Sequence, residues 1–190
     1  MRSLFALLAL TTFALPAAGQ VPDAIKDKVA VCAACHGVDG NNDNPQYPVL
    51  AGQNARYLYL ELRDFKAGRR HDPQMEPVAK TLSPEDMQAL ADYFSKQKPK
   101  PSTYKVDAAK AAQGKAKADA DLCSMCHLGG FVGQNEIPRV AGQHYAYIKK
   151  QLEDFRAKRR TNDGGNMQSV SANLTDADID NLAQYVTSLY

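Results

Sequence analysis

Apolar side chains recur at helical spacing near the end of each half of this chain. Met87, Leu90, Ala91 and Phe94 fall on one stripe, and Ile179, Leu182, Ala183 and Val186 fall on another. Each stripe has a start signal. Ser83 before Pro84 is an N-cap with proline at the first helical position. Thr175, with Asp178 three residues on, is a variant of the capping box. A further helix is expected from Asn54 to Ala67, with Leu58, Leu62 and Phe65 on one face, and its counterpart runs from His144, with Ile148, Leu152 and Phe155. Two more helices are expected from about Pro22 and about Ala108, each ending in a cysteine pair. Alternating strand patterns are almost lacking, so the pattern predicts an all-α protein.

The stripes come in pairs because the second half repeats the first. Tyr47-Pro48-Val49-Leu50-Ala51-Gly52-Gln53 matches Ile137-Pro138-Arg139-Val140-Ala141-Gly142-Gln143. Leu62-Arg63-Asp64-Phe65-Lys66-Ala67-Gly68-Arg69-Arg70 matches Leu152-Glu153-Asp154-Phe155-Arg156-Ala157-Lys158-Arg159-Arg160. The offset is 90 through these blocks (160 − 70), 91 at the cysteines (123 − 32) and 92 at the last helix (179 − 87). Such drift means small loop insertions between equivalent elements. The period is too long for a solenoid repeat and suits a duplicated small domain. Gln97 to Asp107 contains Pro99 and Pro101, which limit helix and favour an extended spacer. The expected units are therefore 20–101 and 102–190, set against each other by a short connection.

The first 19 residues read as a secretory signal. Arg2 is their only charge, Leu4 to Leu15 is apolar, and Ala17-Ala18-Gly19 offers small residues for cleavage, expected after Gly19. The apolar run is too short to span a membrane. Loss of Arg2 leaves 22 basic and 21 acidic side chains (23 − 1 against 21). That balance argues against a nucleic-acid partner, which wants a basic face.

All four cysteines lie in two Cys-x-x-Cys-His boxes, Cys32-Ala33-Ala34-Cys35-His36 and Cys123-Ser124-Met125-Cys126-His127. This motif reads as c-type haem attachment. Residues three apart share a helical face, so both sulfurs of a box reach one porphyrin edge, and the next residue supplies a proximal imidazole. A structural zinc site wants its cysteine pairs roughly 15–20 residues apart, whereas Cys35 and Cys123 are 88 apart (123 − 35). A thioredoxin-like motif wants a βαβ pattern, and paired disulfides leave the two histidines unexplained. The expected cofactors are two covalently bound haems c, whose thioether attachment outside the cytoplasm agrees with export.

The second axial ligand decides what such irons can do. Met75 lies 39 residues after His36, and Met167 lies 40 after His127; each precedes its last helix start by 8 residues. The other candidates lack a matching partner: Met87 aligns with Ile179, Met125 with Ala34, His71 with Thr161 and His144 with Asn54. His36/Met75 and His127/Met167 are thus the expected axial pairs. Histidine–methionine ligation raises the reduction potential and closes the iron on both faces, which suits electron transfer rather than oxygen or peroxide chemistry.

With these residues in view, the chain resembles the di-haem cytochromes c of the cytochrome c4 family over nearly all of the mature sequence. The resemblance is carried by Cys32-Ala33-Ala34-Cys35-His36-Gly37 with Asp39-Gly40, the two Ala-Gly-Gln blocks, Pro73-Gln74-Met75, Arg160-Thr161-Asn162-Asp163-Gly164 and Met167-Gln168-Ser169. The stretch Gly129-Gly130-Phe131-Val132-Gly133-Gln134 departs from the pattern. The resemblance implies two tandem class I cytochrome c domains with their haems near the domain interface. It implies a periplasmic shuttle passing single electrons from a respiratory donor complex to a terminal oxidase, for instance of the cbb3 type, through transient docking and at most peripheral membrane contact. It implies an electron carrier, not an enzyme. The rival readings are the di-haem subunit of a flavocytochrome-like dehydrogenase and a di-haem peroxidase; the paired methionines argue against the second.

Three further matched features have two readings each. Pro48 and Pro138 either aim a backbone carbonyl at the proximal histidine or simply turn the chain. Tyr57 and Tyr147 either reach a haem propionate or pack as amphipathic core. Arg69-Arg70 and Lys158-Arg159-Arg160 read first as a solvated face, since surface charges contribute little; holding propionates or an acidic partner is their other use.

Overall fold

Ser83 and Thr175 act as their positions predict. The Ser83 hydroxyl accepts from the Asp86 amide at 3.1 Å while the Asp86 carboxylate accepts from the Ser83 amide at 3.0 Å, and Thr175 and Asp178 repeat the exchange at 3.1 and 2.9 Å. Each exchange satisfies amides that the helix itself leaves free. The computed structural model describes residues 21–190, so the signal segment and its cleavage site lie outside the described residues. In the first copy the helices are α1 (Lys26–His36), α2 (Ala55–Lys66), α3 (Met75–Lys80) and α4 (Pro84–Ser95). In the second they are α5 (Ala108–Ala120), α6 (Cys123–Cys126), α7 (Leu128–Phe131), α8 (Tyr145–Arg156), α9 (Asn166–Ser171) and α10 (Asp176–Ser188). The expected Asn54–Ala67 helix is α2 with its two caps. Among the described residues there is one isolated β-bridge, Gln134 with Ile137, and no strand.

Each copy builds its own core from the predicted stripes. Met87, Leu90, Ala91 and Phe94 of α4 close on Ile25, Val29 and Leu58, while Ile179, Leu182, Ala183 and Val186 of α10 close on Ala118, Ile148 and Phe131. The first helix is where the copies diverge. α5 lies along α10 so closely that a Cβ on Gly114 would stand 2.0 Å from the Asn181 carbonyl oxygen. Gly114→Ala forces the two backbones apart, and overpacking of this kind costs about 1–3 kcal/mol. Urea unfolding that detects no loss would remove the argument for this helix crossing.

A second divergence explains the departure at residues 129–134. Gly40, at φ 74°, offers its carbonyl to the amides of Leu50 and Ala51. Phe131, at φ 68°, does the same for Val140 and Ala141. The left-handed conformation is natural for glycine and strained for phenylalanine. The exchange follows from packing. The Phe94 ring sits 2.9 Å from where a Gly40 Cβ would be, and its counterpart on α10 is the smaller Val186. In the second copy the aromatic ring has moved across the contact, from the last helix to the turn, where Phe131 is buried edge-on to Tyr185.

The copies meet through a reciprocal interface. Arg70 donates to Glu61 of its own copy and to Tyr147 Oη (2.9 Å) and Gln151 Oε1 (3.1 Å) of the other. Arg160 donates to Gln151 of its own copy (2.8 Å) and to Tyr57 Oη (3.1 Å) and Glu61 Oε1 (2.6 Å) of the other. Each guanidinium also lies 4.6 Å from a phenylalanine ring of its own copy, Phe65 or Phe155. This corrects the sequence expectation for these two arginines. Arg70 and Arg160 are 9% and 8% exposed, not solvated. Arg69 and Arg159 stay half exposed, on Asp64 and Asp154, and Lys158 is exposed as expected. Tyr57 and Tyr147 likewise take a role neither reading foresaw, as acceptors for the opposite arginine.

Candidate functional site

The two boxes are presented differently. In the first copy α1 runs unbroken through Cys32, Cys35 and His36, as the sequence predicts. In the second copy the predicted single helix is wrong: α5 stops at Ala120, Leu122 turns left-handed at φ 56°, and Cys123–Cys126 form a separate turn, α6. Either way the two cysteines stand three positions apart on one helical turn, which keeps their sulfurs on one face. None of the four cysteines is in a disulfide. Burial raises the Cys32 thiol to about 11 and pushes Cys123 up as well.

Both box histidines are buried, His36 at 6% and His127 at 9% exposure. His36 Nδ1 lies 3.0 Å from the Pro48 carbonyl oxygen, and His127 Nδ1 lies 2.9 Å from that of Pro138. A carbonyl can only accept, so in each ring the proton sits on Nδ1 and the Nε2 lone pair is spare. Burial lowers both histidines below their usual range, against the pull of the carbonyls, and holds the rings neutral. Of the two readings of Pro48 and Pro138, the carbonyl orienting the histidine is the one present.

The histidines set aside on sequence grounds differ in geometry. His144 is buried between the copies with Nε2 donating to the Asn42 carbonyl at 3.0 Å, which engages the nitrogen a box histidine keeps free. His71 is exposed and pairs with Glu76 at 3.2 Å. Met87 is core, 2% exposed, and Met125 is 69% exposed. Met75 opens the short helix α3 and Met167 is the second residue of α9, and both are half-buried. Sequence periodicity missed both helices, since six residues are too few to show a stripe. It also missed the residues that start them. Asp72 Oδ1 accepts from the amides of Gln74 (2.9 Å) and Met75 (3.0 Å). Asp163 accepts from the amides of Gly165 (3.3 Å), Met167 and Gln168 (3.2 Å). The signal was available: Asp72 and Asp163 match at offset 91, between the 90 of the arginines and the 92 of the methionines.

These residues fit covalently attached haem. Each centre has two cysteines on one face, outside any disulfide, and a neutral imidazole with one nitrogen spare. Apolar side chains left in contact with solvent flank the boxes in the chain, Val31 and Val38 at the first, Leu122, Met125, Leu128 and Val132 at the second. Exposed apolar surface of this kind marks a ligand-binding face. Among the described residues no three His, Cys, Asp or Glu side chains converge as a metal-ion site, and none of the helices is long and apolar enough to cross a membrane.

Comparison with known proteins agrees with the duplication. A family model described as cytochrome c matches residues 26–98 and again 111–190. The chain is 41% identical to the cytochrome c4 of Stutzerimonas stutzeri, over 99% of this chain and 97% of that protein. It is 38% identical to a protein of Thiomonas intermedia (strain K12) named as a thiosulfate dehydrogenase electron acceptor, over 85% of this chain and 79% of that one. The crystal structure of reduced recombinant cytochrome c4 from Pseudomonas stutzeri superposes with a TM-score of 0.81 at 41% identity, covering 88% of this chain and 98% of the other.

Proposed function

This chain belongs to the cytochrome c family, as a di-haem electron carrier of the cytochrome c4 type, and from that premise we propose that it is exported to the periplasm and passes single electrons from a respiratory donor complex to a terminal oxidase. Haem c, when bound, supplies a one-electron ferric/ferrous couple. The rest is done by the chain. Cys32 and Cys35, and Cys123 and Cys126, hold the two macrocycles as thioethers. His36 and His127 present Nε2 as proximal ligands, oriented through Nδ1 by Pro48 and Pro138. Met75 and Met167 would supply the second ligands, started into their helices by Asp72 and Asp163. Residues 20–101 and 102–190 are the two haem-bearing units.

The observation that supports this reading is that the same set of residues occurs in each copy: a buried neutral histidine with one nitrogen spare, two cysteines outside any disulfide, and a methionine in the first turn of a short aspartate-started helix. A site closed by two protein ligands leaves no position for substrate, so the chain's work is to tune and separate two irons. Partner contact then needs only a small, transient interface.

The test is kinetic. Reduced holoprotein mixed with oxidase-containing membranes from its own source is expected to be reoxidised within the turnover time of the oxidase, and removing it is expected to slow oxygen uptake. Peroxide-dependent turnover of a reduced donor at an enzyme-like rate would sink the reading. The Thiomonas relative supports a second reading, in which the donor is a dehydrogenase held as a stable partner. Co-purification of a dehydrogenase subunit under native conditions favours it.

A further inference from the structure

Each proximal histidine is tied to the opposite copy through a single peptide unit. Pro48 and Val49 share one peptide plane. Its carbonyl oxygen accepts from His36 Nδ1 at 3.0 Å, and its N–H donates to Oε1 of Gln143, in the other copy, at 2.9 Å. Gln143 also donates from Nε2 to the Val49 carbonyl at 2.9 Å, so both ends of its amide are engaged on Val49. The second copy repeats this. The Pro138–Arg139 peptide accepts from His127 Nδ1 at 2.9 Å and donates to Gln53 Oε1 at 2.7 Å, while Gln53 Nε2 donates to the Arg139 carbonyl at 2.8 Å. Both glutamines are about nineteen-twentieths buried, Gln53 at 5% and Gln143 at 6% exposure.

We propose that Gln53 and Gln143 are positioning residues, through which each copy sets the orientation and basicity of the proximal histidine in the other. This rests on the haem reading above. Hydrogen bonds in a chain polarise one another. An amide whose N–H is engaged has a more negative carbonyl oxygen. That oxygen draws the Nδ1 proton of the histidine more strongly and makes Nε2 a better electron donor. A stronger donor on iron favours the ferric state, so cutting the chain at the glutamine favours the ferrous state. The link crosses the domain boundary, which gives the inference a signature that a packing role lacks: the haem that responds is in the copy that was not mutated.

Gln143 also accepts from the His144 amide at 2.9 Å, and Gln53 from that of Asn54 at 2.9 Å. Those bonds fix each glutamine's own backbone at the start of α8 or α2. The carboxamide is thereby held with its oxygen toward the opposite peptide, not free to rotate. The flanking residues are reciprocal as well. Asn54 Nδ2 donates across the boundary to Ile137 at 2.7 Å and Val132 at 3.1 Å, and His144 donates across it to Asn42. The loops that carry the two prolines are therefore each held by the other copy's second helix start.

The experiment uses the holoprotein with both haems. Wild type, Gln143→Leu and Gln53→Leu are titrated potentiometrically, and the imidazole Nδ1 protons are followed by NMR. For Gln143→Leu the ratio of reduced to oxidised haem at fixed potential is expected to rise at the first box only, by roughly two- to fivefold, well short of the about 10–100-fold that losing a direct partner of a metal-bound histidine costs. The His36 Nδ1 proton shifts and the His127 proton does not. Gln53→Leu gives the mirror image, and the two variants stand independently if one folds poorly. Equal movement of both haems, movement of the haem in the mutated copy, or movement of neither overturns the inference. A wild type without a histidine-ligated haem on each box overturns the underlying site assignment instead, and that result is read before any variant is made.

Discussion

Met75→Ala in the holoprotein is expected to abolish one of two ferric thioether–iron charge-transfer bands and leave the other. Met167→Ala is expected to abolish the second and leave the first. The reduction potential of the affected haem falls by on the order of 0.2 V, within the roughly 0.8 V that axial ligands span, because the thioether favours ferrous iron. The effect is large because the other histidines are engaged elsewhere or exposed. The free histidines are accounted for, His144 by the Asn42 carbonyl and His71 by exposure beside Glu76. Met87 lies in the helical core. Redox titration followed at the band decides the matter for each haem separately. A variant with an unchanged spectrum would show that its methionine is not the ligand.

Glu61→Leu is expected to cost about 3–5 kcal/mol, the usual penalty for removing one partner of a buried ion pair. That is a large part of the roughly 5–15 kcal/mol by which domains are stable. Glu61 Oε2 accepts from Arg70 at 2.5 Å and Oε1 from Arg160 at 2.6 Å, with Asn162 adding a third donor at 3.1 Å. The matching position in the second copy is Gln151 (61 + 90), so one carboxylate serves two buried guanidiniums. Without it, both cations face only neutral acceptors. Chemical denaturation is the measurement. The double swap Glu61→Gln with Gln151→Glu moves the carboxylate to the equivalent place and is expected to recover most of the loss. A Glu61→Leu cost below about 1 kcal/mol, the range of exposed pairs, would show that the interface does not depend on this charge.

The same group sets a pH dependence. Burial pushes the Glu61 carboxyl up, but Arg70 and Arg160 outweigh it and hold it below the ordinary carboxylate value. A depressed folded value means that the stabilisation is fully present above the unfolded value and is lost as pH falls through the folded one. Acid is therefore expected to loosen the interface before the helical cores, and Glu61→Leu is expected to lack that step.

Much of the site was legible in the chain. The cysteine boxes, their histidines and the two candidate methionines are read from a motif and from an internal comparison of two copies, and the structure adds the carbonyl behind each histidine and the aspartate before each methionine. The capped helices α4 and α10 are legible too, since their signals lie within a few residues of what they control. The burial of Arg70 and Arg160 escapes the sequence for the opposite reason. A basic pair on a helix end looks solvated when only its own sequence neighbours are considered, and burial comes from residues 77 to 103 positions away. One trace was present. The blocks from Tyr47 to Arg70 and from Ile137 to Arg160 keep an offset of 90 throughout, while drift is confined to the regions outside. A surface that must meet its own duplicate tolerates no insertion.

By itself the sequence determined the capped and striped helices α2, α4, α8 and α10, the duplication and the two cysteine boxes, because caps, stripes and the Cys-x-x-Cys-His spacing act over one or two helical turns. Tertiary structure alone decided how the copies join. It placed Gln143 against Val49 across 94 residues and Gln53 against Arg139 across 86, and set Arg160 on Glu61 across 99. Those contacts pair positions through an approximate two-fold arrangement of two folded bodies. No periodicity along one chain encodes such an arrangement, since it exists only once both bodies have formed.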